Sequence, residues 1–317
     1  MNKQTLRADI LLLIAACVWG FAFSAQRSAM DDMGPFTFNG LRFILGSLSL
    51  LPLIAFRLRK PERRIDGVTG RPLRLRTFAA CSGLAGSCLF IAASLQQIGI
   101  IYTTAGNAGF ITGLYVILTP VFGVFMGKKT GLPTWIGAAF TLAGLFFLSA
   151  AASLRPASPA LRLNPGDLIT ALSALFWTCH VLIIDSLVRR ADPALLASGQ
   201  FFVCGVLSAL TALFLETLSP AALRGSIIAV LYGGLFSAGL AYTLQIAGQK
   251  YAPPAHAVII LSLEGVFAAI GGVIILSEPL GSFTLLGFIF IFCGMLAAQI
   301  EVIFGGGRRL SAGDQKL

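Results

Sequence analysis

Long apolar stretches with few charged residues constrain the fold of this chain more than any other feature. Of its 317 residues, 56% are hydrophobic and 11% are charged, whereas a soluble domain has about 25% charged residues. Runs of about twenty apolar residues match the length that a helix needs to cross a bilayer core. The sequence predicts an all-α, polytopic membrane protein with ten transmembrane helices, at residues 8–29, 34–56, 77–98, 104–126, 134–152, 167–187, 194–216, 225–248, 254–277 and 282–304.

The distribution of basic residues predicts the orientation of the chain. With loops numbered alternately from the N-terminus, eighteen of the 23 lysines and arginines fall on one side and four on the other. Basic loops stay in the cytoplasm, so we expect both termini to be cytoplasmic. The first run is too long for a signal-peptide core and is predicted to be a retained helix. Because orientation accounts for the net charge of +10, we expect no nucleic-acid partner; binding of lipid head groups by loop 57–76 stays open.

The two halves of the chain resemble each other. A shift of 158 residues brings Asp9 onto Asp167 and Trp19 onto Trp177, and a shift of 150 residues aligns the fourth and fifth predicted helices with the ninth and tenth. We predict two five-helix repeats, residues 1–152 and 153–317. Because five is odd, the second repeat enters the membrane from the opposite side. Inverted repeats are typical of secondary transporters, whose substrate site lies near the midplane.

Two tryptophans lie where tryptophan is unusual in membrane proteins. Trp135 fits an interfacial position, but Trp19 and Trp177 lie near the centres of their helices. An indole N–H at that depth needs a partner, and polar groups there usually face a cavity. We therefore predict that both line a substrate pathway. His180 lies on the same helical face as Trp177, and its sequence position is equally compatible with a structural role.

Glu264 is the one acidic residue predicted near the middle of a helix. An ionised carboxylate there costs several kcal/mol unless it is paired, hydrated or protonated. It is a candidate for coupling transport to protons or for binding a substrate ammonium group; a protonated, purely structural carboxyl group is the alternative. His256, a second coupling candidate, is eight residues away, which is about 12 Å along a helix. The two side chains are therefore not expected to form a hydrogen-bonded pair.

Several further polar residues are candidate lining residues of the pathway, namely Asn107, Tyr115, Tyr242 and Gln245. Arg42 is predicted to extend its side chain outward to the membrane surface, with a structural role. Pro120 is predicted to kink the fourth helix.

No sequence pattern points to catalysis, a metal or a cofactor. All six cysteines lie in predicted helices and none forms a Cys-x-x-Cys pair, so we expect neither a disulfide nor a metal site. The stretch MGKKTG at 126–131 lacks the first glycine of a phosphate-binding loop. Transport by this chain would therefore be driven by a gradient or be passive.

Two stretches resemble the EamA-type drug/metabolite transporters. They are AACVWGFAFSAQ with GPFTFNGLRFILG (16–46) and AVIILSLEGVFAAIGGVIILSEPLG (257–281). Gly265 replaces a proline that is usual in that family, and Ser277-Glu278-Pro279 replaces its usual turn. The resemblance implies ten helices in two inverted repeats and a bacterial inner (plasma) membrane location. Within the family the chain is most similar to the YddG-type exporters of aromatic and other amino acids.

These observations predict an exporter of small metabolites, with amino acids as the leading substrates, that works by alternating access between the repeats. The candidate site residues are Trp19, Asn107, Tyr115, Trp177, His180, Tyr242, Gln245 and Glu264. Three alternatives stay open: export of another amphipathic or drug-like solute, a passive facilitator or channel, and an integral membrane enzyme.

Overall fold

The structure, a computed structural model, describes residues 3–59, 65, 66, 68, 70, 72–125, 131–153, 164–187, 191–217, 219–249 and 260–305. In this part of the chain the regular elements are helices, and the pairing of Ile65 with Pro72 is an isolated bridge. The helices are α1 (Lys3–Ala29), α2 (Pro35–Ser49), α3 (Leu51–Arg57), α4 (Leu75–Ile101), α5 (Ala105–Thr112), α6 (Tyr115–Phe125), α7 (Leu132–Ser153), α8 (Pro165–Leu187), α9 (Pro193–Leu215), α10 (Pro220–Leu231), the π-helix π1 (Tyr232–Ala241), α11 (Tyr242–Gln249), α12 (Glu264–Leu276) and α13 (Ser282–Gly305).

Six helical segments are long and apolar enough to cross a membrane: Leu6–Ala29, Pro35–Arg57, Leu75–Ile101, Pro165–Ile184, Pro193–Leu215 and Pro220–Gln245. Four shorter apolar helical segments accompany them, at Ala105–Thr119, Trp135–Gly144, Glu264–Leu276 and Ser282–Ala297. Large apolar side chains such as Phe214 and Ile228 are more than three-quarters exposed, as expected for surfaces that face lipid rather than water. The fold is therefore that of a multi-pass helical membrane protein.

Proline starts several of these helices because the first turn of a helix has no use for its backbone N–H groups. Pro35, Pro193 and Pro220 all occupy the first turn, and Asp192 and Ser219 cap α9 and α10 through their side chains. The starts of these three helices are thus determined by residues in or next to their first turns.

The centre of the bundle lies where α2 crosses α9, with α4 and π1 packed beside them. Small residues allow close approach at this crossing, as Gly40 lies against the backbone of Ala209. Helix α1 packs along α12, and α12 packs on α5. We call the end of the bundle where α1 ends and α2 begins the Arg27 end, and the end where α3 ends and α9 begins the Arg57 end.

Candidate functional site

Two apolar helical segments are interrupted inside the bundle. Gly113 and Leu114 form a turn between α5 and α6, and Ser262 and Leu263 form a turn just before α12. The first interruption precedes Pro120, where the sequence predicted a kink, by about two helical turns, and α6 continues as a helix through Pro120.

The two interrupted segments meet. Gly109 of α5 lies directly against Ala268 of α12, and Gly265 lies against the ring of Phe110. On the other side, α1 approaches α12 so closely that a Cβ atom at Gly20 would lie 2.7 Å from the carbonyl oxygen of Glu264. Interrupted helices expose backbone groups and helix termini within a membrane protein, and transporters use them to build binding sites.

A third irregular element faces the same region. The π-helix π1 extends over ten residues, Tyr232–Ala241, and π-helical turns are frequent at functional sites. The indole Nε1 of Trp19 donates to the Ser237 carbonyl at 3.0 Å, and the Tyr232 hydroxyl donates to the Val18 carbonyl at 3.0 Å. These two long-range hydrogen bonds attach π1 to α1 and fix the orientation of Trp19.

Five aromatic side chains form a cluster at the centre of the bundle, which we call the aromatic cluster: Trp19, Phe43, Trp177, Phe201 and Tyr242. The Tyr242 ring contacts Trp19 edge to face at 4.8 Å and Phe201 edge to face at 5.0 Å. Phe201 lies 5.8 Å from Phe43, and Trp177 packs against the apolar core cluster that contains both rings. The structure thus brings together three predicted site residues, Trp19, Trp177 and Tyr242, from three different helices.

Two members of this cluster, Phe43 and Phe201, were not predicted as site residues. Each is a phenylalanine in an apolar run, and the repeat alignment pairs them with each other but not with a site. Nothing in the local sequence distinguishes them from lipid-facing phenylalanines, so only their neighbours identify them.

His180 has a partner inside the protein. Its Nε2 lies 2.8 Å from Oε1 of Gln200, and both residues are buried. An amide oxygen accepts, so this nitrogen carries the proton, a tautomer assigned from the hydrogen-bond network. The His180 ring also contacts Trp177 edge to face at 5.7 Å. His180 therefore supports the position of Trp177. Gln200 is a polar residue in an apolar run, and this was the sequence signal that could have identified it as the partner of His180.

Glu264 is 5% exposed at the first turn of α12. Among the described residues its carboxyl group has no hydrogen-bond partner. The N-terminus of a helix favours negative charge. Tyr115 follows the interruption between α5 and α6, and Glu264 follows the interruption before α12, so these two predicted residues lie at the two interruptions.

The other three predicted residues, Gln245, His256 and Asn107, are not part of the aromatic cluster. Gln245 is half-buried on α11. His256 lies outside the described residues. Asn107 is near the Arg27 end, where its Nδ2 lies 3.5 Å from Oδ1 of Asp167; the Thr103 hydroxyl donates to the same oxygen at 2.5 Å.

A cavity of about 730 Å³ opens beside Asn107 at the Arg27 end. Its walls come from α5, α12 and the start of α13, and its polar lining includes Arg27, Asp31, Asn164 and Glu278. The cavity offers a water-accessible approach toward the interrupted segments α5 and α12.

Arg42 does not extend to the surface as the sequence predicted. It is 4% exposed, and its guanidinium group lies over the rings of Phe38 and Phe43 at 5.3 and 4.6 Å. The prediction failed because the side chain points along α2 into the crossing of α2 with α9 and π1, where aromatic rings rather than water receive it.

Two carboxylates cap helices that are remote in sequence, and neither was predicted. Glu216 accepts from the backbone N–H groups of Phe36 and Thr37 at the start of α2, at 2.9 and 2.7 Å. Glu278 accepts from those of Ala105 and Gly106 at the start of α5, at 2.7 and 3.3 Å. Both contacts join the two halves of the chain at the Arg27 end.

At the Arg57 end, Arg57 forms a bidentate ion pair with Asp192.

Within the described part of the chain, no three side chains from His, Cys, Asp and Glu converge in a way that could hold a metal ion. All six cysteines are free thiols. The site therefore offers aromatic faces, one buried carboxyl group and one buried guanidinium group as its chemistry.

Comparison with known proteins agrees with this architecture. The chain is 30% identical to an "Uncharacterized transporter" of Archaeoglobus fulgidus over 300 residues, which cover 94% of this chain and 88% of that protein. It is 24% identical to the "Uncharacterized transporter YcxC" of Bacillus subtilis over 95% of this chain and 96% of that protein. A crystal structure of a protein with 20% identity superposes with a TM-score of 0.63 over 96% of this chain and 99% of that chain, and shares the fold.

The model of the EamA-like transporter family matches residues 6–150 and 164–298. The family and these relatives are transporters and not enzymes. This chain therefore belongs to the EamA-like transporter family.

Proposed function

We propose that this transporter exports small metabolites, with aromatic and other neutral amino acids as its substrates, and that it binds them at the aromatic cluster. The observation that carries the proposal is the grouping of Trp19, Trp177 and Tyr242 around one apolar core cluster, with Trp19 next to Gly20, which lies against the start of the interrupted α12 segment. Aromatic faces bind apolar and aromatic groups, and interrupted helices supply polar termini within a membrane protein. Such a site suits a solute with an apolar side chain and a polar end.

The transport mechanism that we propose is alternating access between two inverted five-helix repeats. The two matched family segments, 6–150 and 164–298, support the repeat boundaries near residue 152. The interruptions at Gly113–Leu114 and Ser262–Leu263 fall at nearly the same position in the two halves when the 150-residue shift is applied. The four shorter apolar segments fall within the other four predicted runs, which supports ten helices.

The proposed driving force is a proton gradient acting through Glu264. A carboxyl group that is buried at the start of α12 without a hydrogen-bond partner among the described residues is suited to gain and lose a proton during transport. His256 is the second coupling candidate on the basis of its sequence position. The orientation that we propose has both termini in the cytoplasm of a bacterial inner membrane.

Uptake of labelled phenylalanine and threonine into proteoliposomes of purified protein, with and without a pH gradient, tests the proposal. We expect saturable uptake that other amino acids inhibit, and faster exchange when substrate is present on the far side. Trp19→Ala and Trp177→Ala should each weaken apparent affinity by about 10-fold. Trp135→Ala, at a side chain that is 52% exposed, is the matched control.

Glu264→Gln should keep substrate exchange and lose its dependence on the pH gradient. If both tryptophan variants of folded protein transport like the wild type, the site assignment is wrong. Uptake of amphipathic drug-like solutes but of no amino acid would replace the proposed cargo, and uptake without saturation would favour a channel.

A further inference from the structure

Two buried N–H groups without an acceptor lie at the aromatic cluster. Among the buried side-chain atoms of the described residues that have no hydrogen-bond partner, the two nitrogens are Nε of Arg42 and Nε1 of Trp177. The others are hydroxyl, amide and carboxyl oxygens. The Arg42 guanidinium group stacks on Phe43, a member of the cluster, and Trp177 is itself a member. Both unpaired donors therefore border the apolar core cluster that contains Phe43 and Phe201.

No residue that the structure describes balances the positive charge of Arg42. Arg42 has neither a hydrogen bond nor an ion pair with any residue that the structure describes. Burial of an unpaired charge costs several kcal/mol, whereas a cation–π contact returns about 0.5–2 kcal/mol. The rings of Phe38 and Phe43 thus do not offset the cost of burying the guanidinium group.

Helix π1 packs closely against the aliphatic part of the Arg42 side chain. The side chain lies between α2 and π1, where a Cβ atom at Gly233 would lie 3.3 Å from the Arg42 Cδ atom. The other described lysines and arginines of the candidate spans lie near helix ends. A buried arginine that has no ion pair among the described residues of a membrane bundle is typical of a group that lies on a substrate or ion pathway or pairs with a ligand.

We propose that Arg42 and Trp177 bind the carboxylate of the transported solute. This inference rests on the proposed function and specifies that substrates of the aromatic cluster must have a carboxylate. A guanidinium group presents paired N–H donors that match the two oxygens of a carboxylate, and the Trp177 indole supplies an additional N–H. The apolar part of the solute then lies against Phe43, Phe201 and Tyr242.

The charge and the walls of the site favour a carboxylate over other anions. One guanidinium group neutralises one negative charge, which matches a carboxylate and leaves a phosphate dianion only half compensated. The aromatic rings beside the charge favour an organic acid over a hydrated inorganic ion. Arg42 thereby discriminates amino acids from the corresponding amines, which carry the same side chain and no negative group.

Equilibrium binding to purified protein in detergent tests this inference independently of transport. The probes are phenylalanine and phenylacetate, which have a carboxylate, and phenylalanine amide and phenethylamine, which lack it. We expect the first two to bind the wild type and the last two to bind at least about 10-fold more weakly, as loss of a charge-assisted hydrogen bond predicts.

Arg42→Gln should weaken binding of phenylalanine and phenylacetate by about 10- to 100-fold, and Trp177→Phe by about 3- to 10-fold. Arg42→Lys keeps the charge, so it should fold and should bind the carboxylates with an intermediate affinity. The matched controls are Arg224→Gln and Trp135→Phe, both at exposed side chains, and they should bind like the wild type.

Three results would overturn the inference: equal binding of phenylalanine and its amide, unchanged carboxylate binding by folded Arg42→Gln protein, or no carboxylate binding by folded wild-type protein. A failure of the proposed function looks different. Binding of phenylacetate that depends on Arg42 without uptake of any amino acid would keep the carboxylate site and remove amino-acid export. Uptake of amino acids by Arg42→Gln protein with wild-type affinity would keep the function and remove the site.

Discussion

At the residue scale, buried polar side chains in this protein find partners that are remote in sequence. His180 pairs with Gln200 on the neighbouring α9, and the indole of Trp19 pairs with a π1 carbonyl 218 residues away. Ser47 and Ser198 exchange hydrogen bonds across the crossing of α2 and α9. Because lipid offers no hydrogen bonds, each such pair removes a cost that would otherwise oppose the fold. Unpaired donors such as those of Arg42 and Trp177 are conspicuous against this background.

Ser277 shows the opposite situation, a residue whose backbone conformation is unfavourable. It ends α12 with φ of 54°, the one positive φ outside glycine in the described residues. An L-residue with a Cβ atom pays about 1–2 kcal/mol there, whereas glycine pays only its entropy of about 0.5–1 kcal/mol.

Replacement of this exposed serine by glycine should therefore stabilise the protein by about 0.5–1 kcal/mol. The measurement is the apparent Tm of purified protein in detergent, which should rise for Ser277→Gly. Ser277→Ala keeps a Cβ atom and should not raise it. A lower Tm for the glycine variant would mean that the serine side chain contributes more than its conformation costs.

At the element scale, the N-termini of α2 and α5 depend on carboxylates from the other half of the chain. Gly34 is the N-cap residue of α2 and has no side chain to accept from the first backbone N–H groups. The carboxyl group of Glu216 occupies the space that a side chain at Gly34 would need. A local capping residue and the long-range carboxylate therefore exclude each other.

This exclusion predicts opposite effects of one substitution in two backgrounds. Gly34→Ser should destabilise the wild type, because the serine side chain collides with Glu216. In Glu216→Ala protein the same change should stabilise by about 0.5–2 kcal/mol, since the serine hydroxyl can then cap α2. Unfolding midpoints of the four proteins form a double-mutant cycle. Additive effects of the two substitutions would show that Glu216 does not act as the cap of α2.

At the scale of the whole molecule, contacts between the two halves are present at both ends of the bundle. Glu216 and Glu278 join the halves at the Arg27 end, and the ion pair of Arg57 with Asp192 joins them at the Arg57 end. A transporter that exposes its binding site alternately to the two sides must break the contacts at one end of the bundle while it keeps the contacts at the other end. The cavity beside Asn107 lies at the Arg27 end.

The orientation of the molecule can be measured with single cysteines in a cysteine-free background. Leu75 at the Arg57 end and Tyr102 at the Arg27 end are 79% and 59% exposed. Because basic loops are retained in the cytoplasm, a membrane-impermeant maleimide should label Tyr102→Cys in intact cells and Leu75→Cys only after permeabilisation. Transport by both variants is the control for folding, and the reverse labelling pattern would invert the proposed topology.

The sequence by itself determined the membrane class and most helix positions. These properties depend on runs of apolar residues, on prolines and caps at helix starts, and on the length of a helix that crosses a bilayer, all of which are local. It also indicated Glu264 as a costly residue, because burial of a carboxylate is evident from the twenty residues around it.

Only the tertiary structure showed which side chains contact one another between helices. The aromatic partners Phe43 and Phe201, the pairing of His180 with Gln200, the caps Glu216 and Glu278, and the burial of Arg42 all depend on contacts between elements far apart in the chain. Such contacts are set by which helix faces fit together, and in a chain this apolar the sequence pattern does not distinguish a face that meets protein from one that meets lipid.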